Sequence, residues 1–173
     1  ALDVTDAKTI ALAVSTVIEK EGRIDVLINN AGKGITGSIE DTPTDEMRAN
    51  FNTNFFGVID VAKAVLPQMR KQKSGTIINV TSIAGYMGLP FRGIYSASKG
   101  ALELVTEALS MEVKSFGIKV INVAPGDFAT NIASGRFHTP VYENSAYKET
   151  YTENLALMDG HVNSGMDPKV MAK

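Results

Sequence analysis

Two hydrophobic periods alternate along this chain, and their order predicts an α/β domain. Ile10, Ala13, Val14, Val17 and Ile18 recur at the spacing of one helical face. A helix is therefore expected from Thr5 or Asp6, either of which can cap it, to about Glu21, with Gly22 as a left-handed stop. Residues 24–28, I-D-V-L-I, form a short apolar run that reads as a strand covered on both faces. A polar loop bearing Gly32, Gly34 and Gly37 then runs to Pro43. From Thr44, taken as an N-cap, a helical pattern extends over 44–69, with Asp45 and Glu46 suited to the positive end of its dipole. Phe51, Phe55, Phe56, Val58, Ile59, Val61, Val65 and Leu66 wrap most of its circumference, the mark of a buried helix. Pro67 and the basic run Arg70, Lys71 and Lys73 mark its expected end. A strand follows over 75–81, a glycine-bearing loop over 82–92, a mostly apolar helix over 93–116 stopped by Gly117, and a strand over 118–123 closed by Pro125-Gly126.

Ala1 to Val4 reads as the end of one more strand. The alternation then implies a doubly wound parallel sheet with helices on both faces, in a single domain over 1–173. In such sheets the ligand sits beyond the carboxyl ends of the strands. The loops at Asp3-Val4, at 29–32, at Ser82 and at 125–130 would line one crevice, entered by Tyr95 and Lys99 from the following helix. Residues 127–166 read as a polar lid, with one or two short helices around 147–158. The lid aromatics Phe137, Tyr142, Tyr147 and Tyr151 fit substrate contact and simple sealing of the lid equally well. A last helix-like run begins near Asp167-Pro168.

Composition narrows the function classes. The 173 residues carry a net charge of -2, with 44% hydrophobic and 21% charged residues, which speaks against nucleic-acid or membrane-surface partners. The absence of cysteine excludes disulfides and thiolate chemistry and fits a cytoplasmic location. With two histidines, His138 and His161, and no cysteine, the chain has few soft ligands for a transition-metal site, so no metal is expected. No apolar run is long enough to span a membrane. The chain starts on Ala and stops inside a helix-like run, so it reads as an internal piece of a longer protein.

The chemistry concentrates in S-I-A-G-Y-M-G-L-P-F-R-G-I-Y-S-A-S-K at 82–99. Tyr95 and Lys99 share one helical face, one turn apart. A phenol with a pKa of about 10 is a poor base at neutral pH, and a nearby ammonium lowers that value. The pair can therefore exchange protons near neutrality. A lone Y-x-x-x-K is more often a surface pair, so the surrounding motifs decide.

Those motifs are N-N-A-G at 29–32, Asn54 in N-F-F-G, Ser82 thirteen residues before the Tyr95 of Y-S-A-S-K, and P-G-x-x-x-T at 125–130. In this order they resemble the short-chain dehydrogenase/reductases, in the simple reductase branch, over nearly all of residues 1–130. The resemblance implies a Rossmann-like fold, NAD or NADP as cofactor, and interconversion of a secondary alcohol and a ketone. It implies Tyr95 as general acid/base, Lys99 lowering its pKa and holding the nicotinamide ribose, Ser82 stabilising the substrate oxygen, and Asn54 holding a water behind Lys99. Cofactor contacts fall to Asp3 and Val4 at the adenine, to Asn30, Ala31 and Gly32 under the ribose, to Pro125 and Gly126, and to Phe128 and Thr130 at the nicotinamide. A homodimer or homotetramer through helices 44–69 and 93–116 is also implied.

Two departures stand out. The family's glycine-rich phosphate loop and the second strand, whose end selects NAD or NADP, would need roughly 50–60 residues before Ala1. Without that cradle the chain is expected to bind cofactor poorly. Asp127 takes a position where a small or apolar residue is commoner, and it is expected to face solvent. Two other readings are a non-catalytic dinucleotide sensor, which usually lacks the Tyr or the Lys, and a sugar-nucleotide epimerase, which N-N-A-G and Y-x-A-S-K disfavour. The substrate is not named by any motif.

Overall fold

The structure is a computed structural model that describes residues 1–126, 135–163 and 167–170. Its centre is a three-stranded parallel sheet in the order β1-β3-β4, formed by Val26–Asn29, Gly75–Val80 and Ile118–Val123. Leu27, Ile77 and Val120 lie in one register row. Helices α1 (Ala7–Glu21), α3 (Gly57–Gln72) and α4 (Gly93–Glu112) cover this row, with Val14 and Ile18, Ala62, Val65 and Met69, and Leu109 joining one apolar cluster. Met69 and Ile77 are fully buried, each worth about 1.5–3 kcal/mol of transfer free energy.

The Rossmann-like α/β class stands. The sheet's other face differs from the expectation of two covered faces: Ile28 is 60% exposed and Ile121 42%. Both side chains alternate away from the α1/α3/α4 layer, and no helix among the described residues packs over them. A continuous apolar strand implies two covers, but it does not say which segments supply them.

Several local expectations change. Ala1 to Val4 forms no strand. Asp3 instead accepts from Thr5 N and Thr5 Oγ1, and its carbonyl accepts from Asp6 N, a local turn that competes with a ladder. Asp6 caps α1, accepting from Lys8 N, and Gly22 ends it in the left-handed conformation, both as expected. The cap expected at Thr44 falls on Pro43, whose carbonyl accepts from Glu46 N and Met47 N. The single helix expected over 44–69 is α2 (Thr44–Phe51), a π-helical turn (Asn52–Phe56) and α3. Pro67 does not end α3, which runs on to Gln72 with Met69 locked in the core and Lys73 left-handed at its cap.

The loop expected after Gly32 is not a polar surface loop. Residues 34–38 are all buried, and β2 (Ile35–Thr36) pairs in parallel with β5 (Phe137–His138) from the lid. The short helices expected around 147–158 are one helix, α5 (Lys148–Asn163). Pro168–Val170 is a 3₁₀ turn. Among the described residues no helix is long and apolar enough to cross a membrane.

Candidate active site

The site grows from the carboxyl ends of the sheet. Two residues beyond the Leu27–Ile77–Val120 row, Asn29, Asn79 and Asn122 stand in register on the same face. Asn29 Nδ2 donates to Asn79 Oδ1 at 2.9 Å, and Asn79 Nδ2 donates to Thr106 Oγ1 of α4 at 2.9 Å. Thr81 Oγ1 donates to Asn122 Oδ1 at 2.7 Å. The first Asn of N-N-A-G therefore ties strand ends together, and buried amides with their partners satisfied hold the register of the loops that leave the sheet.

Lys99 projects from α4 into this end of the sheet and is only 5% exposed. Its Nζ donates to Val80 O at 2.9 Å. Burial lowers its pKa from 10.5 to about 8, because the charged ammonium has lost water. Asn54, in the π-helical turn, is fully buried beside it. A Cβ on Gly32 would lie 3.4 Å from both Asn54 Oδ1 and Lys99 Nζ, so the N-N-A-G loop runs directly over the pair. π-turns recur where a helix must re-aim side chains at a site.

The Asn54 amide is fully committed. Oδ1 accepts from Lys33 N at 2.9 Å, and Nδ2 faces Lys33 O, Asn50 Oδ1 and Ser98 Oγ at 3.0, 3.3 and 3.2 Å. Asn50 Nδ2 also donates to Lys33 O. Ser98 Oγ in turn donates to Tyr95 O at 2.8 Å. Ser98 and the Lys33 backbone are site members that sequence reasoning missed. Ser98 had a signal, as the residue before Lys99 in Y-S-A-S-K; the Lys33 backbone had none.

Ser82 precedes a 3₁₀ turn, Ile83–Tyr86, and its Oγ accepts from Ala84 N at 3.2 Å. That turn lies flat on α4: a Cβ on Gly100 would come 2.8 Å from Gly85 O, and one on Gly85 would come 3.0 Å from Gly100 N. Two glycines therefore seat the Ser82 loop against the residue after Lys99. Ile83 N donates to Pro125 O, and Ile83 Cδ1 lies 3.6 Å from where a Gly126 Cβ would be, which joins the Pro125-Gly126 loop to the same place. Tyr95 is half-buried in the first turn of α4.

The other expected contacts are spread along the crevice. Asn30, Ala31 and Gly32 are exposed. Val4 lies against the start of α3, where a Cβ on Gly57 would meet Val4 O at 2.7 Å. Asp3 is exposed, and the hydrogen bonds from Thr5, backbone first, hold its carboxyl below the usual range. Its described contacts reach no further than residue 9. Phe128, Thr130 and Asp127 lie outside the described residues.

These features can be set beside known proteins. The family model for short chain dehydrogenase matches residues 1–140. The chain belongs to the short chain dehydrogenase family. A 3-ketodihydrosphingosine reductase from Bacteroides thetaiotaomicron is 44% identical over 169 residues, 97% of this chain and 63% of that protein. A crystal structure of a short-chain dehydrogenase from Streptomyces avermitilis superposes with a TM-score of 0.84 at 38% identity, over 97% of this chain and 60% of the other. A xylitol dehydrogenase solved with NAD+ bound gives 0.72 at 35% identity, over 75% and 50%. This member of the family spans about three-fifths of the length of the first two proteins.

The residues present fit a dinucleotide's nicotinamide ribose. Lys99 Nζ has three N–H valences and, among the described residues, one hydrogen bond. Two valences remain for hydroxyl acceptors beside the exposed Gly32 loop.

Proposed function

We propose that the full protein interconverts a secondary alcohol and a ketone with NAD or NADP, with Tyr95 as general acid/base. The observation that carries this reading is the buried Lys99 ammonium, held at the end of β3 one helical turn from Tyr95. The bound nicotinamide supplies or takes the hydride. In the reductive direction Tyr95 gives its phenolic proton to the substrate oxygen. The Ser82 hydroxyl donates to that oxygen as charge develops on it. Lys99 stabilises the phenolate left behind; burial lowers its pKa to about 8, which leaves the ammonium favoured at pH 7. Asn54 enters as a positioning residue, because its side chain is committed to Lys33, Asn50 and Ser98. Asp3, Val4, Asn30, Ala31, Pro125, Gly126, Phe128 and Thr130 would line the cofactor. The presence of both Tyr95 and Lys99 disfavours a non-catalytic sensor.

The test is a panel of ketones and alcohols with NADH, NADPH and their oxidised forms on the full-length protein. It includes 3-ketodihydrosphingosine, because the Bacteroides relative is named for its reduction. Tyr95→Phe is expected to lower kcat about 10³-fold. Wild-type turnover by that variant would sink the acid/base assignment.

The same proposal holds that the protein is a cytoplasmic homodimer or homotetramer. Phe56, Leu104 and Met111 are more than half exposed on the helices expected to pair, and a groove of about 450 Å³ is lined by Met47, Arg48, Phe51, Asn52 and Phe56. Light scattering of the full-length protein is expected to give twice or four times the monomer mass, and Phe56→Glu to lower it.

A further inference from the structure

Phe91 is four residues before Tyr95, and its φ is +59°. That left-handed conformation is unfavourable for a bulky residue and persists only where the surroundings enforce it. Glycine would suit it better, so the position keeps an aromatic ring against a local backbone preference. Three elements converge on the residue. Gly37 N donates to Phe91 O at 2.9 Å, which joins it to the buried loop of β2. Its ring lies 5.2 Å from the Tyr151 ring of α5, centroid to centroid, at 42°. Arg92, the next residue, directs Nε at Met158 Sδ of α5 at 2.8 Å, and its carbonyl accepts from Ser96 N as the N-cap of α4.

Tyr151 is itself pinned. It is 3% exposed, and its hydroxyl lies 3.1 Å from Thr36 O and 3.0 Å from Thr36 Oγ1. Thr36 pairs with His138 of the lid. The lid helix, the β2/β5 pair and the first turn of α4 therefore meet at one side chain. That first turn carries Tyr95, and the next carries Ser98 and Lys99.

We propose that Phe91 is the positioning residue through which the lid acts on Tyr95, an inference that rests on the acid/base reading of Tyr95. With α5 seated, the Tyr151 ring packs on the Phe91 ring, and the start of α4 is aimed. With α5 lifted, Phe91 loses its ring partner and keeps the Gly37 N–Phe91 O bond and the Leu89–Arg92 turn, so the first residues of α4 are less firmly aimed. Substrate that closes the lid would thereby set the proton donor.

The test uses the full-length protein with Phe91→Gly, which suits the backbone but removes the ring, and Phe91→Tyr, which keeps it. Phe91→Gly is expected to raise substrate KM about tenfold and lower kcat several-fold, the loss of one aromatic pair and its burial. Cofactor KM should stay within about twofold, since the hydrogen bond and ring contact of Phe91 go to Gly37 and Tyr151 and not to residues 29–32. Deuterium exchange over 148–158 should quicken about tenfold. Phe91→Tyr should match wild type in every readout. Unchanged exchange in Phe91→Gly, or unchanged substrate KM and kcat with only a lower Tm, would overturn the proposal. If the wild-type protein turned over no substrate in the panel, the acid/base reading would fall, and the exchange readout would still decide the clamp.

Discussion

Two rows of side chains on one face of the same sheet, two residues apart, are built from opposite materials. Leu27, Ile77 and Val120 lie under α1, α3 and α4 and form an apolar interior. Asn29, Asn79 and Asn122 continue that face to the carboxyl ends, with amides bonded to one another and to Thr106 and Thr81. The apolar row drives folding, and small imperfections in it are tolerated if volume is kept. The amide row contributes little net stability, since each hydrogen bond replaces one to water. It is directional, however, and fixes where the Gly32, Ser82 and Pro125 loops leave the sheet. Beyond it lies Lys99, whose burial is a net cost to the fold. Stability and chemistry are thus separated along the strand axis by about two residues.

This separation can be broken or sharpened by substitution. The largest effect is expected at Tyr95, where Phe should remove about 4 kcal/mol of transition-state stabilisation while changing unfolding free energy by no more than about 1.5 kcal/mol. Steady-state kinetics beside a urea melt would check both, and a comparable loss in the two would merge the regions. Ile77→Ala is the mirror case: it should cost about 3–4 kcal/mol of stability and leave kcat per folded molecule unchanged. Asn79→Ala, at the border, should cost about 2 kcal/mol by orphaning the Asn29 amide and removing a donor from Thr106, whose hydroxyl keeps its bond to Leu102 O, and should also reduce turnover as strand ends lose register.

Lys99→Met carries a change in stability of opposite sign. Holding the ammonium at a pKa of about 8 rather than 10.5 costs the fold on the order of 3 kcal/mol, of which loss of the Val80 bond offsets about one. The variant should be about 2 kcal/mol more stable at pH 7 yet inactive. The unfolded chain binds more protons than the folded one between pH 8 and 10.5, so wild-type stability rises with pH across that window. Urea melts should show the advantage of Lys99→Met constant below pH 8 and fading toward pH 10.5; an advantage flat across that range would mean that Lys99 is not buried as a cation.

Much of this was legible in the linear pattern. The helix from Asp6 to Gly22 had its cap, its stripe and its stop in view, and the strand over 118–123 was a mostly apolar run closed by Pro125-Gly126. The loops at the strand ends and their residue types were equally plain. The residues that were not legible share one property: their partners are far away in sequence. Asn54 reads as a polar gap in an apolar helix, and only its bonds to Lys33 and Ser98, 21 and 44 residues away, account for it. Residues 34–38 look like a polar loop until the lid, about a hundred residues on, buries them. A two-residue strand has no period to detect.

By itself the sequence determined the order of the three sheet strands and the helices between them, the family, and the side chains proposed to carry proton chemistry. Periodicity reports how a segment is buried, and short motifs report backbone geometry, and both are local properties. The tertiary structure decided which face of the sheet the described helices cover, that a helix turns to π geometry at Asn54, and that Lys99 loses its water. It also decided that Phe91, left-handed in its turn, packs its ring on Tyr151. Each of these follows from contacts between segments whose encounter is set by the folding of the chain as a whole, and no window of neighbouring residues records it.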